Sequence, residues 1–437
     1  MEVFDAISLF SGALGLDVGL EQVGRLVNNS FGPTEARFKI RACVESDPSS
    51  QQSILKNLAE GNLEDKNLKL YGDITRIKDP KSILEETGIK GSLPLLVGGP
   101  PCQSFSTAGR RGTGQDPRGS LIWEFVRFVR EMNPRFFLME NVRGLLSAAI
   151  RHRPIAKRGP DSPPLEDEEQ PGSVYRMLLN DFESLGYHVD VFEVNAVNYG
   201  APQLRERVLF IGNRYNLSVE FPQPTHGDPS LIGGTLTPML PYRTLRDAVQ
   251  GLVEKEPVLL DFSPRKKRYL ARVPPGGNWR SMPTDVQRES MGEAWFAKGG
   301  RSGWWRKLSW DLPSPCLVTM PNHASTSLCH PDELRVLSLR EYTKIQEFPD
   351  NWIVTGTVAE QYRQVGNAVP VRLGEVAGKV IGDALIGLGE RKDLRPGEKV
   401  KPSRRVYVKS HVRTRKWYYN GQPVARPTQN QTLITAR

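Results

Sequence analysis

The chain has little cysteine, little histidine and no long hydrophobic run. Its four cysteines, Cys43, Cys102, Cys316 and Cys329, include no Cys-x-x-Cys pair. That excludes a disulfide scaffold and suits a reducing compartment. Cys316, His323, Cys329 and His330 lie close in sequence, but their spacing fits no common zinc pattern, so no metal is expected. No stretch approaches the roughly 18 apolar residues that a membrane span needs. Met1-Glu2-Val3-Phe4-Asp5 has neither the basic nor the apolar region of a signal peptide. A soluble, cytoplasmic protein is therefore expected.

What the chain holds in excess is positive charge. Lys and Arg number 59 against 49 Asp and Glu, a formal net charge of +10. Such a balance favours a polyanionic partner, nucleic acid first. With 437 residues, 38% of them apolar, the chain can bury one large α/β domain and a smaller second one.

The most informative stretch is Val97-Gly98-Gly99-Pro100-Pro101-Cys102-Gln103-Ser104-Phe105-Ser106. The apolar run Leu93–Val97 ahead of it predicts a buried parallel strand. Gly98-Gly99-Pro100-Pro101 stops that strand abruptly, so Cys102 stands just past a strand's carboxyl end, where α/β sheets present their chemistry. A structural cysteine needs no such setting, and Cys102 reads as a reactive thiol.

The rest of the chain supplies neighbours for it. Ala6–Phe10 predicts a first strand, and Ser11-Gly12-Ala13-Leu14-Gly15 a glycine turn opening a helix, the start of a nucleotide-binding unit. Phe38–Val44 predicts a second strand that ends in Glu45, where such folds bind ribose hydroxyls, and Asp73 follows another short apolar stretch. Acidic positions suit a nucleoside without phosphates, and S-adenosylmethionine fits that description. Leu121–Met132 has the apolar face of an amphipathic helix. Arg135–Met139 predicts a strand that ends in Glu140, which places a carboxylate at the same sheet edge as Cys102. Residues 151–172, rich in Pro, Arg, Asp and Glu, have the composition of a disordered surface insertion. Val174–Leu185 predicts a helix stopped by Gly186, and Tyr187–Val194 and Arg207–Ile211 two more strands, with Gln203-Leu204-Arg205-Glu206-Arg207 between them.

From residue 215 to 333 helix signals thin out. Trp279, Trp295, Trp304, Trp305 and Trp310 interleave with Arg280, Arg301, Arg306 and Lys307. Tryptophan belongs to the core as often as not, while basic residues woven between aromatics point to nucleic acid. Helices return at Leu339–Phe348 and after Gln364-Val365-Gly366-Asn367-Ala368-Val369. Residues 389–437 form a basic extension, either a solvated tail or an added strand pair touching phosphates.

Together these stretches resemble the cytosine-5 DNA methyltransferase family. Phe10–Gly15 is similar to its cofactor loop, Pro101-Cys102-Gln103 to its catalytic motif and Glu140-Asn141-Val142 to the next one. Gln203–Arg207 is similar to its paired-arginine motif, Arg340-Glu341 with Ile345–Asp350 to the motif supporting target recognition, and Gln364–Val369 to its last signature. The order is the family's own. Leu14 stands where the family often has a second glycine, which would narrow the backbone's approach to the cofactor.

The resemblance implies a doubly wound, Rossmann-like methyltransferase sheet formed by 1–214 and 334–388, with a smaller, mostly irregular or β target-recognition domain at 215–333. It implies methyl transfer from S-adenosylmethionine to carbon 5 of a cytosine flipped out of duplex DNA. Cys102 would add to carbon 6, Glu140 would bond ring nitrogen 3, Arg207 would hold the carbonyl oxygen, and Arg205 would orient Glu140 or touch a phosphate. Phe10, Gly12, Gly15, Glu45, Asp73, Pro100, Asn367 and Val369 would line the cofactor pocket. Gln103, Ser106, Arg110, Arg111, Arg301 and Arg306 would contact DNA, the loop 103–119 acting as a lid. A monomer is implied, in a restriction–modification system beside a cognate endonuclease. A transfer-RNA methyltransferase of the same fold and a non-catalytic DNA-binding relative are the competing readings.

Overall fold

In the computed structural model the described residues are 1–24, 35–101, 121–154, 157–158, 162–230, 238–296, 301, 303–390, 400–410, 417–419 and 422–424. The strands in chain order are β1 (Glu2–Leu9), β2 (Ala36–Val44), β3 (Lys69–Tyr71), β4 (Leu95–Gly98), β5 (Phe136–Asn141), β6 (His188–Asn195), β7 (Glu206–Asn213), β8 (His226–Gly227), β9 (Leu240–Pro241), β10 (Arg404–Tyr407), β11 (Trp417–Tyr419) and β12 (Gln422–Val424). β4, β5 and β6 are buried along their whole length; β4 and most of β5 accordingly read as apolar runs with little alternation, whereas β6 also buries His188, Asp190, Glu193 and Asn195.

Eight strands form one sheet in the order β10-β6-β7-β5-β4-β1-β2-β3. β1 is parallel to β2 and β4, β2 to β3, and β4 to β5. β7 alone runs antiparallel, between β5 and β6. Helices cover both faces. The helix Leu121–Met132 and the helix Ser173–Ser184 pack on one face through Phe125, Phe128 and Phe182. The first helix (Gly15–Glu21) and the last (Val371–Glu390) pack on the other through Leu16, Leu20, Val376 and Ile381. This is the doubly wound, Rossmann-like architecture expected, and its strand order reverses between β1 and β4, where such sheets bind ligands.

The first and last helices touch backbone to backbone. A side chain at Gly15 would stand 2.1 Å from the Val369 carbonyl oxygen, and one at Gly19 2.2 Å from that of Val371. Only glycine permits this approach.

The segment between β7 and the helix Leu339–Ile345 is mainly irregular, with short helices at Leu245–Val249, Pro264–Leu270 and Thr284–Met291. Its apolar residues, Phe262, Leu270, Trp305 and Leu328 among them, join the same core as the first and last helices. The tryptophan–arginine interleaving is largely internal. Trp279 and Trp305 are buried, and the Arg280 and Arg301 guanidiniums lie 4.4 and 5.0 Å from the Trp279 ring centre, a cation–π arrangement.

Two stretches are more ordered than their composition suggests. In 151–172, among the described residues, Arg153 pairs with the buried Glu169 and Asp167–Glu169 form a 3₁₀ turn. The C-terminal extension is not wholly a solvated tail. Arg404–Tyr407 add β10 to the sheet edge, parallel to β6, and β11 pairs with β12 as a hairpin.

Candidate active site

The carboxyl ends of β1, β2, β3, β4 and β5 open onto one cavity of about 850 Å³, a volume usual for small-molecule sites. Phe10, Gly12, Gly15, Glu45, Asp73, Pro100, Asn367 and Val369 all line it, as do Glu140, Arg205 and Arg207. Arg301 and Arg306 do not. Arg301 donates to the Trp295 carbonyl, and burial holds the Arg306 pKa below its ordinary value. Cys102, Gln103, Ser106, Arg110 and Arg111 lie outside the described residues.

At one end the loop after β1 turns through three left-handed residues, Phe10 (φ 55°), Gly12 (φ 53°) and Leu14 (φ 65°). For residues other than glycine this conformation costs about 1–2 kcal/mol. Leu14, 1% exposed, offsets the strain by placing its side chain in the core. Leu14 therefore takes this turn at a cost in strain, with Gly12 and Gly15 on either side of it. Gly12 N–H donates to Glu45 Oε2 at 2.7 Å, and Asp47 N–H to Glu45 Oε1 at 2.8 Å. Asp73 Oδ1 accepts from the Thr75 N–H and hydroxyl at 3.0 and 2.8 Å, bonds that hold its carboxyl below the ordinary range. These oxygens keep lone pairs for ligand hydroxyl or amino donors.

A Cβ at Gly12 would meet no atom within 4 Å, so the loop borders open space. The lining contains no lysine among the described residues, and its Arg363 is tied to Asp47 at 2.7 Å. The pocket thus suits a nucleoside bearing no phosphate, and the residues present fit S-adenosylmethionine.

At the other end stand Glu140 and Arg207. Because β7 is antiparallel, its amino end lies at the same sheet edge as the carboxyl ends of the parallel strands. The register sets Glu140 opposite Leu209 and Asn141 opposite Val208, and Arg207 Nε meets Glu140 Oε1 at 2.6 Å. A Cβ at Gly99 would stand 3.1 Å from Glu140 Oε2, so Gly99 leaves room for that carboxyl. Asn141 Nδ2 donates to the Pro100 carbonyl at 2.9 Å, tying β5 to the turn that leads into Cys102.

Arg205, 1% exposed, makes its hydrogen bonds to groups other than Glu140. Its Nη1 donates to Cys316 Sγ at 3.2 Å and Leu317 O at 3.1 Å, and its Nη2 to Gly366 O at 2.9 Å and Asn367 O at 3.0 Å. Burial, and next the nearby charge of Arg207, lower its pKa to about 10. It is a buried clasp between segments far apart in sequence. Gln203 Nε2 adds a second link, to Gln346 Oε1 at 2.7 Å, and Gln346 Nε2 donates to the Val365 and Ala368 carbonyls. The paired-arginine, target-support and last-signature motifs are thus fastened into one unit.

The C-5 cytosine-specific DNA methylase model matches residues 4–383. The chain belongs to that family. It is a DNA cytosine-5-methyltransferase whose methyl donor is S-adenosylmethionine. The methylase is 33% identical over 394 residues to the Type II methyltransferase M.Eco47II of Escherichia coli, covering 89% of this chain and 81% of that one. To M.Sau96I of Staphylococcus aureus it is 32% identical over 376 residues, covering 86% and 75%. Among solved structures, the methylase fold matches Spodoptera frugiperda DNMT2 with a TM-score of 0.53 at 14% identity, covering 86% of this chain and 99% of that one.

Sequence reasoning missed the Cys316–Thr319 wall of the cavity, together with Asp47, Arg363 and Gln364. For Asp47 a signal existed. Asp-Pro marks a helix start, and Asp47 caps Pro48–Ala59. For Cys316 none did, because its partner Arg205 is 111 residues away. Among the described residues no group of three or more His, Cys, Asp or Glu could hold a metal ion, and no helix is long and apolar enough to cross a membrane.

Proposed function

We propose that the methylase modifies one cytosine of a specific sequence in duplex DNA, flipped into the cavity and held covalently by Cys102, as the modification half of a restriction–modification system with a cognate endonuclease. The Glu140–Arg207 pair carries this reading, standing 2.6 Å apart at the cavity wall beside the turn from which Cys102 follows. Carbon 5 of cytosine is a weak nucleophile. Addition of the Cys102 thiolate at carbon 6 pushes electron density towards carbon 5 and onto nitrogen 3 and oxygen 2. Glu140 shares a proton with nitrogen 3, and Arg207 donates to oxygen 2, so both stabilise the charge where it develops. The bound donor supplies an electrophilic methyl group. Glu45 and Asp73 would hold the nucleoside end of that donor, with Phe10 lining the same end of the cavity. Loss of the carbon-5 proton and expulsion of Cys102 then restore the ring. Residues 215–333 form the target-recognition domain.

The test uses tritiated S-adenosylmethionine with duplex DNA and, separately, transfer RNA. Label is expected in cytosines of the duplex at one sequence. Cys102→Ser should abolish transfer and leave donor binding within about twofold. Label in transfer RNA alone, or in neither substrate, would overturn the reading, and a Cys102→Ser protein that still transfers methyl groups would overturn the covalent step.

A further inference from the structure

The family match ends at residue 383, yet β10, well beyond it, is built into the catalytic sheet. Arg404 pairs with Asp190, which is fully buried and also bonds Val219 N–H, and Arg405 meets Glu193 at 2.7 Å. These two anchors fix both the register and the direction of β10. Since β10 is parallel to β6 and β6 antiparallel to β7, its carboxyl end emerges where β7 begins, at Glu206 and Arg207.

What emerges there is suited to a nucleic acid. Tyr407 is 57% exposed, and its ring centre lies 6.0 Å from the Arg143 guanidinium. Tyr407 shares a small recess with Arg143, Glu206 and Arg207. Arg207 also lines the main cavity, so the recess and the cavity adjoin at that side chain. Arg143 is held by Glu193 at 3.0 Å and Glu206 at 3.6 Å. Lys409 is exposed, and among the described residues it has no carboxylate partner. From Lys399 to Arg437 the sequence contains no acidic residue. An exposed aromatic and an unpaired cation thus stand together at the edge where the cavity opens.

We propose that the C-terminal extension adds a second duplex-contact surface, Tyr407 and Lys409 beside Arg143, which grips the phosphate backbone flanking the target base. This rests on the reading of the enzyme as a duplex DNA methyltransferase. Lys409 supplies the charge and the Tyr407 hydroxyl a hydrogen bond, both of which position DNA without reading its sequence.

The experiment compares the full-length enzyme with Lys409→Ala, Tyr407→Phe and the double variant Tyr407→Ala/Lys409→Ala, measuring DNA affinity between 50 and 300 mM salt. Each phosphate contact contributes about 0.9 to the slope of log affinity against log salt. Lys409→Ala should flatten the slope by about that amount and weaken binding about fivefold near 0.15 M salt. The loss should be equal for cognate and unrelated duplexes, and donor affinity and thermal stability should not change. The double variant should lose more, and Tyr407→Phe should lose only the hydroxyl's share. Unchanged affinity and slope in all three variants would overturn the proposal and leave β10 a strap on the sheet edge, and so would a loss confined to the cognate duplex. Failure of the underlying reading looks different, because the wild-type enzyme would then place no methyl group in duplex DNA.

Discussion

Substituting Arg205 with lysine separates a clasp from a phosphate contact. The guanidinium makes four hydrogen bonds at 2.9–3.2 Å to segments 111–162 residues away. An ammonium on a shorter, single-point reach keeps at most about two of them, and hydrogen bonds to a charged group are worth about 1.5–3 kcal/mol each. Losing two would cost about 3 kcal/mol at the low end. With an unfolding entropy of about 2.1 cal/mol/K per residue over 437 residues, that corresponds to a fall in Tm of about 3 °C. The functional effect should be larger than the thermal one, because the released carbonyls belong to Gly366 and Asn367, which line the cavity proposed to take the donor. S-Adenosylmethionine affinity, measured by calorimetry, should fall by about tenfold or more, while the salt slope of DNA binding stays that of the wild type. An Arg205→Lys enzyme with normal Tm and donor affinity but a flatter salt slope would refute the clasp and restore the phosphate contact.

Two further perturbations test the scaffold. Gly15→Ala puts a Cβ 2.1 Å from the Val369 carbonyl oxygen. The first and last helices must then part, and donor affinity should collapse with a stability loss of about 3 kcal/mol; wild-type affinity in that variant would show that the contact is dispensable. Glu21 on the first helix has its pKa raised by burial from 4.5 to about 8. The folded state therefore keeps a proton that the unfolded chain releases above 4.5, so its contribution to stability is complete at low pH and is lost as pH rises towards 8. Glu21→Gln should flatten the fall in denaturation midpoint between pH 5 and 8, and an unchanged pH profile would contradict the assignment.

The fold was legible where apolar runs met glycine or proline. β4 running into Gly98-Gly99, β5 carrying Glu140 at its carboxyl end, and the helix Ser173–Ser184 before Gly186 lie within a residue or two of where the sequence puts them. The donor end of the cavity was legible for the same reason, since strand ends can be counted along the chain. Arg205 was harder. An arginine two positions before Arg207 looks alike whether it faces a phosphate or main-chain carbonyls, and those carbonyls are contributed by distant residues. The tryptophan–arginine segment shows the same ambiguity, because guanidiniums stacked on Trp279 and guanidiniums awaiting DNA have one composition. β10 was half legible. A basic, aromatic-spotted tail announces a strand only once the carboxylates of Asp190 and Glu193, over 200 residues upstream, are seen waiting for Arg404 and Arg405.

The backbone contact between the first helix and the chain near Val369 bears on how the enzyme is born. A ribosome completes the β1 loop, Cys102, Glu140 and Arg207 long before it reaches Asn367 and Val369. Until those residues emerge, Gly15 has nothing to pack against and the donor pocket lacks a wall. A nascent or prematurely terminated chain therefore carries Cys102, Glu140 and Arg207 without a complete cavity. Domains fold as units during synthesis, and in this one the closing piece comes near the end, so methylation competence should switch on late and all at once.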